Sequence, residues 1–300
     1  MPLHLLILSI VVCLLSACKP DVIKAEQTMF EQQVANHPDI IKETLRFEGH
    51  QLFYARAGDT DKPSLVIVHG TPGDWQQYAR YLLNPALREH FQVISIDRPG
   101  WGQSILAGDE QTADFDQQSH IIAALGRQLK QNQQPVIYMG HSLGASLIPF
   151  MAVNHPEVTD GLLILAGTLV PDYAGPRWYN YLAAIPGMGY LIGQAMKKSN
   201  QEIFQLDDEM QKLQPAWPTI QTPTLVVQGS ADSLVHPENI DVLPAYVNPD
   251  FIQIISLNGA GHLFPMTQRK AVVDWSLCLL RVAQQQATLD ECQRITVDTD

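Results

Sequence analysis

Basic side chains are scarce in this 300-residue sequence, which carries 19 Lys and Arg against 31 Asp and Glu for a formal net charge of −12. Nothing resembles a basic stripe that could neutralise a phosphate backbone, so no nucleic-acid partner is expected. Long apolar runs are lacking too: the mainly apolar stretch Leu3 to Ala17 has 15 residues, short of the roughly 20 that cross a bilayer as a helix. There is no His, Cys, Asp and Glu cluster at metal-ligand spacing and no phosphate-binding glycine loop, so neither metal nor other cofactor is expected. No internal repeat is visible, which removes solenoids and propellers. Cysteine is limited to four residues. What the chain has is apolar content, at 46% ample for a sizeable core.

The short N-terminal run suits the apolar region of an export signal. It ends Leu15-Ser16-Ala17-Cys18, which resembles the lipobox of bacterial lipoproteins. That resemblance implies a signal peptide over residues 1–17, cleavage before Cys18 and lipidation of its thiol. It also implies a membrane partner through the lipid anchor and a place in the bacterial cell envelope, with Lys19 favouring the outer membrane; an ordinary signal peptide or an uncleaved anchor are the alternatives. Residues 18–44 read as a polar spacer, with a short helix around Phe30 and Val34. In an oxidising compartment Cys278 and Cys292, fourteen positions apart, are a possible disulfide, with two free thiols as the alternative.

From Leu45 the pattern becomes alternating around Glu48-Gly49-His50, a hairpin signal that opens a domain over 45–300. A continuous apolar run at 64–68 reads as a strand covered on both faces, and strands follow at 92–96, 136–140, 161–166, 222–228 and from 254. Amphipathic segments at 75–83, 117–130 and 268–285 read as helices between or after them. Alternation of this kind calls for right-handed crossovers and a doubly wound, mostly parallel α/β sheet. Residues 168–219 interrupt the rhythm with many aromatic and Met side chains. They predict a small helical cap over the carboxyl end of the sheet, cut by Pro171, Pro176, Pro186, Pro215 and Pro218 into short pieces.

The stretch that organises the chain is Val136 to Ser146, in which a strand runs through Gly140-His141-Ser142-Leu143-Gly144 into a helix. A turn that tight strains the serine backbone and requires residues without a Cβ on either side. It lifts the Ser142 hydroxyl above the sheet edge beside the first N–H groups of the new helix. Two later strands end in Asp232 and in Gly261-His262, on the same edge. Serine, acid and histidine in that chain order form a nucleophile, an orienting acid and a base. Asp172 is the alternative acid and His236 a weaker base; His69 and Asp97 read as structural, bonding the loops near the site, and His141 as packing beside the turn.

Five ordered segments, His69-Gly70-x-Pro72-Gly73, Asp97-x-x-Gly100-x-Gly102-x-Ser104, the Ser142 elbow, Gly229-x-x-Asp232 and Gly261-His262, resemble the α/β-hydrolase superfamily. The resemblance covers about Leu45 to Gln285. It implies catalysis by Ser142, Asp232 and His262, with the backbone N–H groups of Leu143 and Thr71 as oxyanion donors. The expected activity is hydrolysis of short to medium carboxylic esters, a small-molecule substrate, with no cofactor. Epoxide hydrolases and haloalkane dehalogenases share the His-Gly-x-Pro loop but need a carboxylate where this chain has Ser142. An aminopeptidase, a carbon–carbon bond hydrolase and a catalytically silent binding protein of the same fold are the competing readings.

Overall fold

A computed structural model describes residues 34, 37–108, 114–185 and 187–295. The expected signal peptide, Cys18 and nearly all of the spacer lie outside the described residues. The chain divides into two compact units, residues 1–40 and 41–300. Of the first, only Val34 and His37 to Ile40 are described, in two successive turns closed by His37 N–H to Val34 O and Ile40 N–H to His37 O.

The second unit is built on eight strands: β1 (Ile41–Phe47), β2 (His50–Ala57), β3 (Ser64–Val68), β4 (Gln92–Ile96), β5 (Val136–His141), β6 (Gly161–Leu165), β7 (Thr224–Gly229) and β8 (Ile252–Leu257). They form one sheet in the order β1-β2-β4-β3-β5-β6-β7-β8. The β1/β2 and β2/β4 pairs are antiparallel, and β3 through β8 run parallel. Every residue of β3, β4, β5, β6 and β7 is buried, which explains why β3 reads as a continuous apolar run. The first strand begins at Ile41, four residues before the boundary expected at Leu45. Its Ile-Lys-Glu-Thr start lies on the edge of the sheet with little burial, so it carries no apolar signal.

Helices flank the sheet: α1 (Ala79–Leu82), α2 (Pro85–His90), α3 (Phe115–Leu129), α4 (Leu143–Leu147) and α5 (Pro149–Asn154) precede β6. Between β6 and β7 lie α6 (Trp178–Ala183), α7 (Met188–Ile192) and α8 (Gln194–Leu213); α9 (Asn239–Val242), α10 (Phe264–Thr267), α11 (Arg269–Ala283) and α12 (Leu289–Gln293) follow. Two expectations are corrected. The amphipathic 75–83 segment is a 3₁₀ turn over Trp75–Tyr78 followed by the one-turn α1. The cap is not all short pieces, because the Pro-free stretch between Pro186 and Pro215 sustains the 20-residue helix α8.

Cys278 on α11 and Cys292 on α12 are joined by a disulfide. In the chain-entropy model, closing a loop of this length contributes about 3 kcal/mol. It holds α12 beside the outer strand β8, where Gln293 Nε2 donates to the Ile254 carbonyl at 3.1 Å. A side chain thereby occupies an acceptor on an edge that would otherwise invite another strand.

Candidate active site

The Ser142 elbow is as tight as its sequence demands. Ser142 has φ +56° and ψ −124°, a conformation L residues rarely adopt. A Cβ on Gly140 would lie 2.5 Å from the Gly144 carbonyl oxygen, and one on Gly144 would lie 2.3 Å from that of Val68. The serine is half-buried and starts α4, whose first N–H groups have no acceptor within the helix. The loop after β3 packs directly on it: a Cβ on Gly70 would approach Ser142 Cβ to 2.8 Å and Oγ to 3.3 Å. Thr71 and Leu143 thus flank the nucleophile's position from two sides.

Asp232 and His262 come together at the ends of β7 and β8. His262 Nδ1 donates to Asp232 Oδ2 at 2.8 Å. With that proton committed, Nε2 of the neutral ring keeps its lone pair, as a base requires. Asp232 also accepts from Gln228 Nε2 at 2.9 Å and from the N–H groups of Leu234 and Val235 at 2.8 and 2.9 Å. Burial alone would raise its pKa, but the bonds from His262, Val235 and Leu234 outweigh burial and hold it below the ordinary 3.8. One oxygen therefore caps a turn and the other orients the histidine.

His141, immediately before Ser142, ties the two halves of the site together. Its Nε2 donates to the His262 carbonyl at 2.9 Å and its Nδ1 accepts from the Tyr78 hydroxyl at 2.7 Å. The two imidazoles lie 4.8 Å apart, centre to centre. Burial, with His262 nearby, drives the His141 pKa down to about 3, so it remains neutral and keeps this bonding pattern. Asp172 is exposed, and His236 pairs with Glu238 at 3.6 Å against the Tyr173 ring.

His69 and Asp97 are structural, as expected. His69 Nδ1 donates to the Gly70 carbonyl at 2.7 Å and its Nε2 accepts from the Arg98 N–H at 2.9 Å. Asp97 accepts from the N–H groups of Trp75 and Gln103, both at 2.8 Å.

A buried network escaped the sequence reading. Glu202, on α8, accepts from both terminal nitrogens of Arg98 at 2.8 and 2.9 Å, from Trp101 Nε1 at 2.9 Å and from Thr71 Oγ1 at 2.6 Å. Arg98 also donates to the carbonyls of His69 and Gly70 and to Gln118 Oε1. Both partners are buried, and although burial would raise the Glu202 pKa, Arg98 first, then Thr71 and Trp101, hold it below its ordinary value. Lys198, one turn before Glu202, donates to the Gly100 carbonyl and lies over the Trp101 ring. The cap helix is thus pinned to the loops after β3 and β4, including the Thr71 loop beside Ser142. The one available signal was the charged pair Asp97-Arg98 directly after the end of β4.

Among the described residues, no group of three or more His, Cys, Asp or Glu is placed to hold a metal ion. What these residues can do is proton transfer from a strained serine through an oriented histidine, beside backbone donors.

The model of the Alpha/beta hydrolase family matches residues 65–275, more than half of the chain, and the chain belongs to that family. It is 32% identical over 137 residues to the (E)-2-((N-methylformamido)methylene)succinate hydrolase of Acinetobacter baylyi, an alignment covering 45% of this chain and 49% of the relative. It is 30% identical over 135 residues to a proline iminopeptidase of Lactobacillus helveticus, covering 44% and 45%. The chain thus spans about half the length of the curated relatives it matches. Among solved structures, the enol-lactonase of Burkholderia xenovorans superposes with a TM-score of 0.65 at 17% identity, covering 79% of this chain and 99% of that one. That likeness is one of fold.

Proposed function

We propose that this chain is a serine hydrolase that cleaves carboxylic esters through an acyl-enzyme. The observation that carries the reading is the 2.8 Å Asp232–His262 bond beside the strained Ser142 elbow. His262 Nε2 takes the Ser142 hydroxyl proton as Oγ attacks the ester carbonyl carbon. The oxyanion of the tetrahedral intermediate is held by the N–H groups of Leu143 and Thr71, each such donor contributing about 3 kcal/mol to lowering the barrier. The intermediate collapses, and the leaving alkoxide departs as an alcohol with the proton from His262. Water then repeats the cycle on the acyl-enzyme, releasing the acid and regenerating Ser142. Asp232, held ionised, stabilises the imidazolium throughout.

Esters fit better than amides carrying a free amine, as in the iminopeptidase relative. An ammonium needs an uncommitted acid, whereas Glu202, buried in the cap, is already paired with Arg98. A fluorophosphonate probe should label the wild-type protein and leave Ser142→Ala unlabelled but folded. Along a p-nitrophenyl ester series, kcat/KM should peak at or below about eight to ten carbons, as for a pocket of ordinary ligand size. Cleavage of aminoacyl amides without ester turnover would overturn the assignment.

We also propose that Cys18 is lipidated and anchors the chain in the bacterial envelope. The Cys278–Cys292 disulfide supports an oxidising location. Cys18→Ser should abolish incorporation of labelled palmitate into the protein; labelling that persists in the variant would refute the anchor.

A further inference from the structure

The cap turns its apolar stripe outward. On α6 and just beyond it, Trp178, Tyr181, Leu182 and Ile185 stand at i, i+3, i+4 and i+7, the spacing by which a helix normally faces a core. Here all four are exposed, Trp178 by 63%, and no residue of α6 is buried. Leu191 on α7 is 81% exposed, Met196 at the start of α8 is exposed, and Phe204 meets the Tyr181 ring edge-on at 5.2 Å. The patch thus spans three neighbouring helices and is rich in the amphipathic rings that favour a membrane–water interface.

Charge says what covers it. On a chain of net charge −12, residues Tyr173 to Gln201 contain no carboxylate, and their charged side chains are Arg177, Lys197 and Lys198. Lys198 is turned inward to Gly100 and Trp101, so Arg177 and the exposed Lys197 set the sign of the outer face. The exposed Asp172 precedes this stretch; beyond it, past the buried Glu202 that is paired with Arg98, acidic residues resume on α8 at Asp207 and Asp208, roughly 16 Å along the helix from Met196. An apolar, aromatic surface flanked by cations suits an anionic lipid bilayer. A second copy suits it poorly, because in a two-fold contact the same cations would meet each other with no acid between them.

We infer that the α6–α7 face, with the start of α8, docks on an anionic phospholipid surface. The inference does not depend on the chemistry at Ser142. The sequence offers a local probe: of five tryptophans, Trp75, Trp101, Trp217 and Trp275 are buried and Trp178 is exposed. The full-length chain should be mixed with vesicles of phosphatidylcholine, alone or with phosphatidylglycerol, bearing brominated acyl chains. Emission from vesicle-bound protein should be quenched with the anionic lipid present, and the quenched component should vanish in Trp178→Phe. Arg177→Gln with Lys197→Gln should reduce quenching to the level of the neutral vesicles, and the exposed Leu191→Ser should weaken it without altering thermal stability. Ser142→Ala should quench as wild type does, so a failed hydrolase reading would remain separate from a failed docking reading. No vesicle association, bound protein with equal emission in brominated and plain lipid, or a concentration-dependent Trp178 shift without lipid would each overturn the inference, the last in favour of self-association.

Discussion

At the scale of single residues, the acid is the sharpest test of the site. Asp232→Asn should lower kcat by about 10⁴, because an amide in that position favours the wrong histidine tautomer. Asp172→Asn, at an exposed position, should leave ester turnover near wild type; steady-state kinetics on a p-nitrophenyl ester separates the two, and the reverse ranking would move the acid to Asp172. Ser142, Asp232 and His262 were legible because each sits in a short motif whose local geometry fixes its direction. The elbow glycines and the strand ends need no knowledge of distant contacts. Gln228 and His141, which bond Asp232 and the His262 carbonyl, were harder to read: Gln228 turns back on its own strand end, and His141 meets a loop 121 positions away.

At the scale of elements, the decisive contact joins α8 to the β4 loop across 104 positions of sequence. No periodicity links Glu202 to Arg98, and a carboxylate on a polar-looking helix reads as solvated; only the folded arrangement makes the pair visible. Glu202→Gln should cost about 3–5 kcal/mol, since it leaves the Arg98 guanidinium buried without its counter-charge. Urea unfolding measures that loss, and little change in the midpoint would mean that the pair carries no weight. The length of α8 was legible in principle from its Pro-free interval, but the surrounding prolines drew attention to breaks. The parallel strands were read to within two residues at their ends, most closely where burial is complete, whereas the exposed edge of β1 leaves almost no signal.

For the whole molecule, acidity tunes stability in two opposed ways. Burial, against bonds from Gln103 and Trp75, raises the Asp97 pKa to about 6. The folded state therefore holds that proton longer than the unfolded chain does, and stability should fall by up to about 3 kcal/mol as pH rises from about 4 to 6. Asp232 and Glu202 have the opposite sign, since their folded values lie below the ordinary ones. Their contribution is complete above the unfolded carboxylate range and is lost on acidification through those lowered values. Urea midpoints against pH should show the first limb flattened in Asp97→Asn, and an unchanged slope would discard its cause. The pinning of α8 has one further consequence, for the route by which a substrate enters. Moving the whole of α8 would expose a guanidinium–carboxylate pair and break the bond from the Thr71 hydroxyl to Glu202. Opening is therefore expected to involve the α6–α7 segment, with α8 staying in place. Gly187 and Gly193, at φ +90° and +80° on either side of α7 and with open space where a Cβ would stand, give α7 the freedom to turn. Amide hydrogens of α6 and α7 should accordingly exchange far faster than those around Glu202, with substrate analogues slowing the first set and leaving the second unmoved.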